Sequence, residues 1–129
     1  MTPVESLEEL KEKRWYLASP YRNYEAGRHR AYMDVLDVSE RLRKANIFHY
    51  CPIVASHEWA DIAGIDPVDN AIWTEINWPW MGRCHGLLIA GMLGWERSEG
   101  IICEKRVFVQ QKKPIRILSL GLIGLKTAA

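Results

Sequence analysis

The sequence predicts an α/β domain built on a mainly parallel sheet, and three features lead to this prediction. Short apolar runs alternate with longer stretches of helical periodicity along the 129 residues. One run, GLLIAG at residues 86–91, is apolar on both faces, as a central strand between two layers of helices requires. Hydrophobic residues make up 48% of the chain, which is enough for the core of one domain. We therefore expect a three-layer sandwich of four or five strands, flavodoxin-like or Rossmann-like.

The first eighteen residues predict a surface extension followed by the first strand. We expect one domain over residues 1–129, with residues 1–13 as an N-terminal extension. Within it Val4, Leu7 and Leu10 recur every third residue, which suits a short helical segment over residues 4–13 that lies loosely on the surface. WYLA, residues 15–18, predicts a buried strand. Pro20 ends it, because proline has no N–H to donate to a neighbouring strand.

Residues 28–45 predict the first long helix. Asn46 suits the left-handed position that closes a helix, and IFHYCPIV (47–54) then predicts a strand that ends near Pro52. One apolar stripe at the helical period defines the buried face of the helix: Ala31, Val35, Val38, Leu42 and Ala45.

The second half of the chain continues the alternation after a loop at residues 55–69 with at most one helical turn. The predicted elements are a Trp-rich helix at 69–83 interrupted at Pro79, a strand at 86–91, a helix at 98–112 and a strand at 115–120. The tail, 120–129, is apolar without a clear period, which favours an edge strand or a cover for a neighbouring subunit.

Composition excludes several classes of protein. Seventeen Lys and Arg face sixteen Asp and Glu, so the chain lacks the basic excess of a nucleic-acid backbone binder. No apolar run reaches the roughly 18 residues of a membrane helix. The N-terminus is too charged for a signal peptide, and three cysteines without disulfide spacing favour a reducing cytoplasm. We expect a cytoplasmic protein that contacts neither a membrane nor a nucleic-acid polymer.

A ligand site is expected beyond the carboxyl ends of the strands, as in other open parallel sheets. The loops that qualify are Ser19–Gly27, Ala55–Asp69 and Met92–Gly100. The first is polar and could equally be an ordinary turn. The third leads into a helix whose N-cap is Ser98 and whose free N–H groups favour an oxygen-rich group.

Glu104 is the carboxylate with the most unusual sequence surroundings. Its neighbours three and four positions away are the apolar Ile101, Val107 and Phe108. A carboxylate on such a face is partly desolvated, which raises its pKa. The alternative is that Glu104 pairs with Lys105 or Arg106 at the surface.

Four motifs together resemble the nucleoside 2-deoxyribosyltransferase-like superfamily, and within it a small bacterial and phage branch of the DUF1937 type. They are YLASPY (16–21), PIVASH (52–57), GIDPVDNAIW (64–73) and GWERSEGIICE (94–104). Each is weak alone, but their order and spacing over residues 14–118 are specific for the fold and the branch.

The resemblance implies cleavage of the N-glycosidic bond between a deoxyribose and a base, without metal or cofactor. By motif match Glu104 is the nucleophile and Tyr16 holds it, while Ser98 stands where transferases carry an aspartate. The substrate-binding candidates are Ser19, Pro20, Tyr21, Arg22, Asn23, His57, Trp73, Ser98 and Gly100, with Arg28 as a further candidate for a phosphate or the sugar. Family sites are often completed across subunits, so we expect a homodimer or a higher homo-oligomer.

Several candidates have a structural alternative of similar weight. Trp73, Trp78 or Trp80 could form a flat wall for the base or could be packing residues. His57 could contact the base or a phosphate, or could cap its loop. Any of Arg22, Asn23 and Arg28 could be an ordinary surface side chain.

The sequence departs from the family where aspartates are expected. INWPWMGRCHGLL places Asn77 or Trp78 and His85 at those positions, so no acid for the leaving base is evident there. His85 could donate a proton or could be structural. Asp66 and Asp69 are the other acids nearby, and Asp66 precedes a proline, which favours a turn.

The expected function is therefore cleavage or transfer at the N-glycosidic bond of a (deoxy)nucleoside or its 5′-monophosphate, with a small-molecule substrate and a glutamate nucleophile. The alternative is a non-catalytic nucleotide or nucleotide-sugar binding protein that kept the fold. A weaker third possibility is cleavage of the nicotinamide–ribose bond of NAD. The sequence does not specify the base, the sugar or the need for a phosphate.

Overall fold

A computed structural model describes residues 1–126 and confirms the α/β class, with helices on both faces of a five-stranded, fully parallel sheet. Within these residues no helix combines the length and the apolar character needed to cross a bilayer. The strands are β1 (Thr2–Pro3), β2 (Trp15–Ala18), β3 (His49–Tyr50), β4 (Gly86–Ala90) and β5 (Ile115–Leu118). The helices are α1 (Arg28–Lys44), α2 (Pro52–Ala63), α3 (Asn70–Arg83) and α4 (Glu99–Gln110).

The strand order is β1-β5-β4-β2-β3, and it determines where a ligand can bind. β2 and β4 lie side by side, with Tyr16 opposite Leu87 and Ala18 opposite Ile89. From β2 the chain passes to β3 on one side and later to β4 on the other. The carboxyl ends of β2 and β4 therefore form the switch point at which open parallel sheets bind ligands.

The alternation of side chains along β2 divides the core into two layers. Trp15 and Leu17 join the buried face of α1 on one side of the sheet. Tyr16 and Ala18 belong to the core on the other side, which also contains residues of α3 and α4. Because successive strand residues point to opposite faces, the position of Tyr16 in WYLA fixes which helices it meets.

The first long helix agrees with its sequence pattern. α1 buries four of the five predicted stripe positions, and Ala45, the fifth, is partly buried against the same core. Asn46 adopts a φ of 61°, and the N–H of Ile47 donates to the carbonyl of Leu42 at 3.0 Å. This left-handed closure is the one expected of an asparagine.

The region after α1 corrects the sequence prediction. The strand expected over 47–54 is only His49–Tyr50, and most of the loop expected over 55–69 is helix α2, Pro52–Ala63. Pro52 begins this helix instead of merely ending a strand, because the first turn of a helix does not need the missing N–H. Gly64 ends α2 at a φ of 69°, so only residues 64–69 form the loop.

Helix α3 also differs from its prediction, because it runs through Pro79 without interruption. Pro79 cannot donate a hydrogen bond to the carbonyl of Glu75. Both residues are exposed, so water can satisfy that carbonyl.

The N-terminal extension and the described part of the tail are integrated more firmly than expected. The predicted loose extension contains β1, which pairs with β5, and Val4 and Leu10 are buried in the core. In the tail, Leu120–Ile123 form a 3-10 turn that packs against α1 of the same chain, so it is not an edge strand. Residues 127–129 of the predicted tail lie outside the described part.

The sheet end at the switch point tolerates no side chain at Gly91. Its N–H donates to the carbonyl oxygen of Leu118 at 2.9 Å, and an added Cβ would lie 2.7 Å from that same oxygen. We expect Gly91→Ala to lower the free energy of unfolding by about 1–3 kcal/mol, because two backbone segments must separate. Urea unfolding measures this. Gly82→Ala is the control, since its Cβ meets nothing within 4 Å in α3 and should be neutral or slightly stabilising. Equal losses in both variants would contradict the argument.

Candidate active site

A cavity of about 540 Å³ lies at the switch point. Its walls come from the loop after β2, the first turn of α2, one face of α3 and the start of α4. The volume is within the range of roughly 300–1,000 Å³ typical of small-molecule sites. Except for His57 and Arg28, the predicted catalytic and substrate-binding residues line this cavity: Glu104, Tyr16, Ser19, Pro20, Tyr21, Arg22, Asn23, Trp73, Ser98 and Gly100.

Glu104 lies on the inner side of α4 and borders the cavity. Ile101 and Phe108, three and four positions away, are fully buried and hold this face of the helix against the sheet. The side chain is deep in the protein yet keeps partial solvent access through the cavity. Burial raises the pKa of its carboxyl to about 8, and the nearby Tyr16 hydroxyl lowers this value only partly.

The surface-pairing alternative for Glu104 is wrong. None of the ion pairs formed within residues 1–126 includes it. A carboxyl group that is buried without a cationic partner has a strongly shifted pKa, and groups of this kind are concentrated at functional sites.

Tyr16 projects from β2 toward this carboxyl. The residue is fully buried, and its hydroxyl has no hydrogen-bond partner in the described part of the chain. Burial raises the pKa of the phenol most, and the adjacent Glu104 carboxyl raises it further, so the two groups lie within interaction range. The distance and angles between them do not meet those of a formed hydrogen bond. The hydroxyl is therefore a free donor beside a desolvated acid.

A second unsatisfied hydroxyl lies close by in the chain. Ser19 follows β2 directly, is 6% exposed, and its Oγ lacks a partner among residues 1–126. A buried hydroxyl without a partner costs about 1–3 kcal/mol. The Ser19 hydroxyl on the cavity wall is therefore a group whose hydrogen bond a bound molecule can supply.

The start of α4 forms another part of the cavity wall. The Ser98 side chain accepts from the N–H of Ile101 at 3.4 Å, which confirms it as the N-cap. An added Cβ at Gly100 would meet only the Ser98 Oγ, at 3.9 Å, so the helix start is open to a ligand.

Arg22 lies at the exposed mouth of the cavity and contacts two of the segments that line it. Its guanidinium lies 3.6 Å from the Glu99 carboxylate, and it donates to the carbonyl of Val68 at 3.4 Å. It thus links the loop after β2 with α4 and with the segment between α2 and α3. Arg28, the other predicted cation, is not among the lining residues.

His57 lies behind the cavity wall and not in it. Its Nδ1 is 2.7 Å from the hydroxyl of Tyr21, which does line the cavity, and its ring stacks on Tyr32 with centroids 4.4 Å apart. The predicted direct contact between His57 and a base or phosphate therefore has no support in this geometry. The residue can act only through Tyr21.

The three tryptophans of α3 have different surroundings. Trp73 lines the cavity while its indole N–H donates to the carbonyl of Asp66 at 2.8 Å. Trp78 also lines the cavity and is 53% exposed. Trp80 instead stacks on Tyr50, with centroids 4.4 Å apart, outside the cavity lining. Trp73 and Trp78 remain as flat surfaces for a ring.

The alternative proton donors from the sequence all have structural roles. Asp66 accepts from the N–H of Val68, the turn suggested by the following proline. Asp69 caps α3 by accepting from Ala71 and Ile72. His85 lies at the amino end of β4, opposite to the cavity, and its Nδ1 accepts from the N–H of Arg14 at 2.9 Å.

The sequence interpretation missed several cavity residues for lack of a correct helix boundary. Pro52, Ile53 and Ser56 belong to α2, which the sequence did not predict. Helical spacing was a usable signal on the other two walls, where lining residues recur three and four positions apart. These are Asn70, Trp73, Thr74, Asn77 and Met81 on α3, and Gly100, Cys103, Glu104 and Val107 on α4.

A family model described as "Domain of unknown function (DUF1937)" matches residues 13–120, a span that includes every residue of the cavity lining. No curated protein matches the chain.

Proposed function

The chain belongs to the DUF1937 family, and from its cavity we propose that it cleaves or transfers at the N-glycosidic bond of a deoxynucleoside or its 5′-monophosphate. Glu104 is the nucleophile in this proposal and Tyr16 its positioning residue. The proposal places the family in the nucleoside 2-deoxyribosyltransferase-like superfamily, on the motifs given above.

One observation carries the proposal. A desolvated carboxyl without a cation, Glu104, lies beside the buried and unsatisfied hydroxyl of Tyr16 on the wall of a cavity at the sheet's switch point. Breaking an N-glycosidic bond leaves positive charge on the sugar, and a nearby carboxylate can stabilise that charge or bond to the anomeric carbon. A low-dielectric site strengthens this interaction.

The reaction can be written with these groups. A carboxylate oxygen of Glu104 bonds to C1′ while the C1′–N bond breaks, and the bonding electron pair leaves with the base. Water, or a second base in a transfer reaction, then attacks C1′ and releases the carboxylate. The Tyr16 hydroxyl donates to the other carboxylate oxygen and limits its rotation. Trp73 and Trp78 offer faces against which the base can stack.

The raised pKa gives this reaction a pH requirement. A carboxyl with a pKa of about 8 is mostly protonated at pH 7, and only the ionised form can attack. Base release should therefore increase about tenfold per pH unit up to about pH 8, which a profile of kcat/KM against pH measures.

The test is direct incubation with a substrate panel. We expect the wild-type protein to release free base from at least one member of a set of deoxynucleosides, ribonucleosides, their 5′-monophosphates and NAD at pH 8. Chromatography measures the base. Glu104→Gln, purified in the same way, controls for contaminating enzymes. Release that persists in this variant, or no release from any compound, would contradict the proposal.

A non-catalytic binding protein is the second candidate. Among residues 1–126 the cavity lining contains no free second carboxyl, which favours this candidate, since the other lining carboxylate, Glu99, is exposed and paired with Arg22. Calorimetric titration with the same panel distinguishes the two. Binding without turnover of any member would support this candidate.

A further inference from the structure

The proposed reaction leaves one requirement unmet, a proton for the departing base. Glu104 must be ionised to act on the sugar, so it cannot supply this proton at the same time. Asp66, Asp69 and His85 are engaged elsewhere, and Glu99 is paired with Arg22 at the exposed mouth. A different donor has to reach the cavity.

Three side chains form a continuous line from solvent to the cavity wall. His29 is exposed at the start of α1, and its Nδ1 lies 3.4 Å from Nε2 of His57. The Nδ1 of His57 lies 2.7 Å from the hydroxyl of Tyr21, and Tyr21 lines the cavity. The longer distance can shorten by a small rotation of the exposed His29 ring. Tyr21 and His57 are fixed relative to each other, with rings edge to face at 5.7 Å.

We propose that Tyr21 is the general acid for the departing base and that His57 and His29 resupply its proton from solvent. This inference rests on the proposed function of the site. Tyr21 is the catalytic residue, since only it lines the cavity, and the two histidines act through it.

The transfers balance without any further reactant. The base nitrogen takes the proton of the Tyr21 hydroxyl together with the electron pair of the broken bond. The tyrosine oxygen takes a proton from Nδ1 of His57, whose Nε2 takes one from Nδ1 of His29. His29 takes its proton from solvent water at Nε2, and the hydroxide that remains is neutralised by the proton released when water or the second base attacks C1′. Each group ends in its starting charge state, although both imidazoles exchange tautomers and must turn or retransfer before the next cycle.

The surroundings of His57 suit a relay through a neutral ring. Burial lowers its pKa, and His29 and Arg28 on α1 act in the same direction. Glu58 and Asp61 on its own helix act in the opposite direction but do not reverse the shift. At neutral pH the ring therefore holds one proton and one lone pair, as transfer through it requires.

The test compares leaving groups that differ in their need for a proton. 7-Methylguanine departs as a neutral molecule from its cationic deoxynucleoside, whereas adenine or guanine needs protonation. For a pyrimidine-selective enzyme, 5-fluorouracil and uracil form the corresponding pair. We expect Tyr21→Phe to slow release of the ordinary base about 100-fold and release of the better leaving group at most about threefold. His57→Gln should show the same selectivity with a smaller loss, because water can partly resupply Tyr21.

Tyr32→Phe is the matched control. Tyr32 stacks on His57 without lining the cavity, and phenylalanine keeps that stack. It should leave both rates unchanged. If the wild type releases base but Tyr21→Phe slows both leaving groups equally, or neither, the relay is wrong and the glycosidic function stands. If the wild type releases no base from any substrate, both proposals fail.

Discussion

Glu104→Gln is expected to stabilise the protein by about 2–4 kcal/mol at pH 9 while reducing base release by about 10³-fold or more. The folded carboxyl has a pKa of about 8, against an ordinary value of 4.5. Between these pH values the folded protein holds a proton that the unfolded chain has lost, so stability falls as the pH rises through this window. Glutamine mimics the protonated group and removes that loss. The partial solvent access of Glu104 keeps the gain below the full linkage value.

Urea unfolding at pH 5 and pH 9 checks the stability part. The two proteins should differ little at pH 5, and the difference should develop between about pH 5 and pH 8. Glu99→Gln is the control, because Glu99 is an exposed carboxylate at the mouth and its removal should produce no such pH dependence. A wild type that is as stable as Glu104→Gln at pH 9 would show that the carboxyl is better solvated than its position implies.

Tyr16→Phe is expected to move the pH dependence of base release upward by about one unit, with about a tenfold loss at pH 7 and a smaller loss above pH 9. The Tyr16 hydroxyl is the group that lowers the pKa of Glu104 against the effect of burial. Without it the carboxyl ionises at higher pH, and less of the nucleophile is present at pH 7. The profile of kcat/KM against pH measures the shift.

Tyr50→Phe is the control for this experiment. The ring of Tyr50 lies 5.8 Å from that of Tyr16, but its hydroxyl donates to Asn77 at 3.1 Å and it does not line the cavity. Its profile should keep the wild-type midpoint. An unshifted midpoint for Tyr16→Phe would mean that Tyr16 does not control the ionisation of Glu104.

The sequence was informative where local pattern determines structure. The apolar neighbours of Glu104 identified a desolvated carboxyl, WYLA identified β2, and the apolar stripe of α1 gave the helix together with its Asn46 closure. α2 was missed because a proline after an apolar run has two meanings, the end of a strand or the first turn of a helix. Only packing decides between them.

Contacts between distant segments were beyond the sequence pattern. Nothing local to His57 indicates that it meets Tyr21, 36 positions earlier, instead of a ligand. In the same way, nothing in the sequence around Arg22 indicates that its guanidinium pairs with Glu99. The sequence suggests His85 as a candidate acid, but the structure places it at the amino end of β4, away from the cavity. Such partnerships depend on strand order, which short motifs do not encode.

The hydroxyls of Tyr16 and Ser19 have no partner among the described residues. Tyr16 belongs to β2 and Ser19 directly follows it, and β2 is paired with a neighbouring strand on both sides. Such a strand cannot easily move to relieve them. Ionised Glu104 can accept the hydrogen bond of the Tyr16 hydroxyl, so a ligand is needed only at Ser19. A molecule that offers a hydrogen-bonding atom there satisfies a hydroxyl that the empty protein leaves unpaired, and one without that atom forfeits roughly 1–3 kcal/mol. The rigid end of β2 can therefore select between chemically similar ligands by about tenfold to a hundredfold, without any movement of the loops.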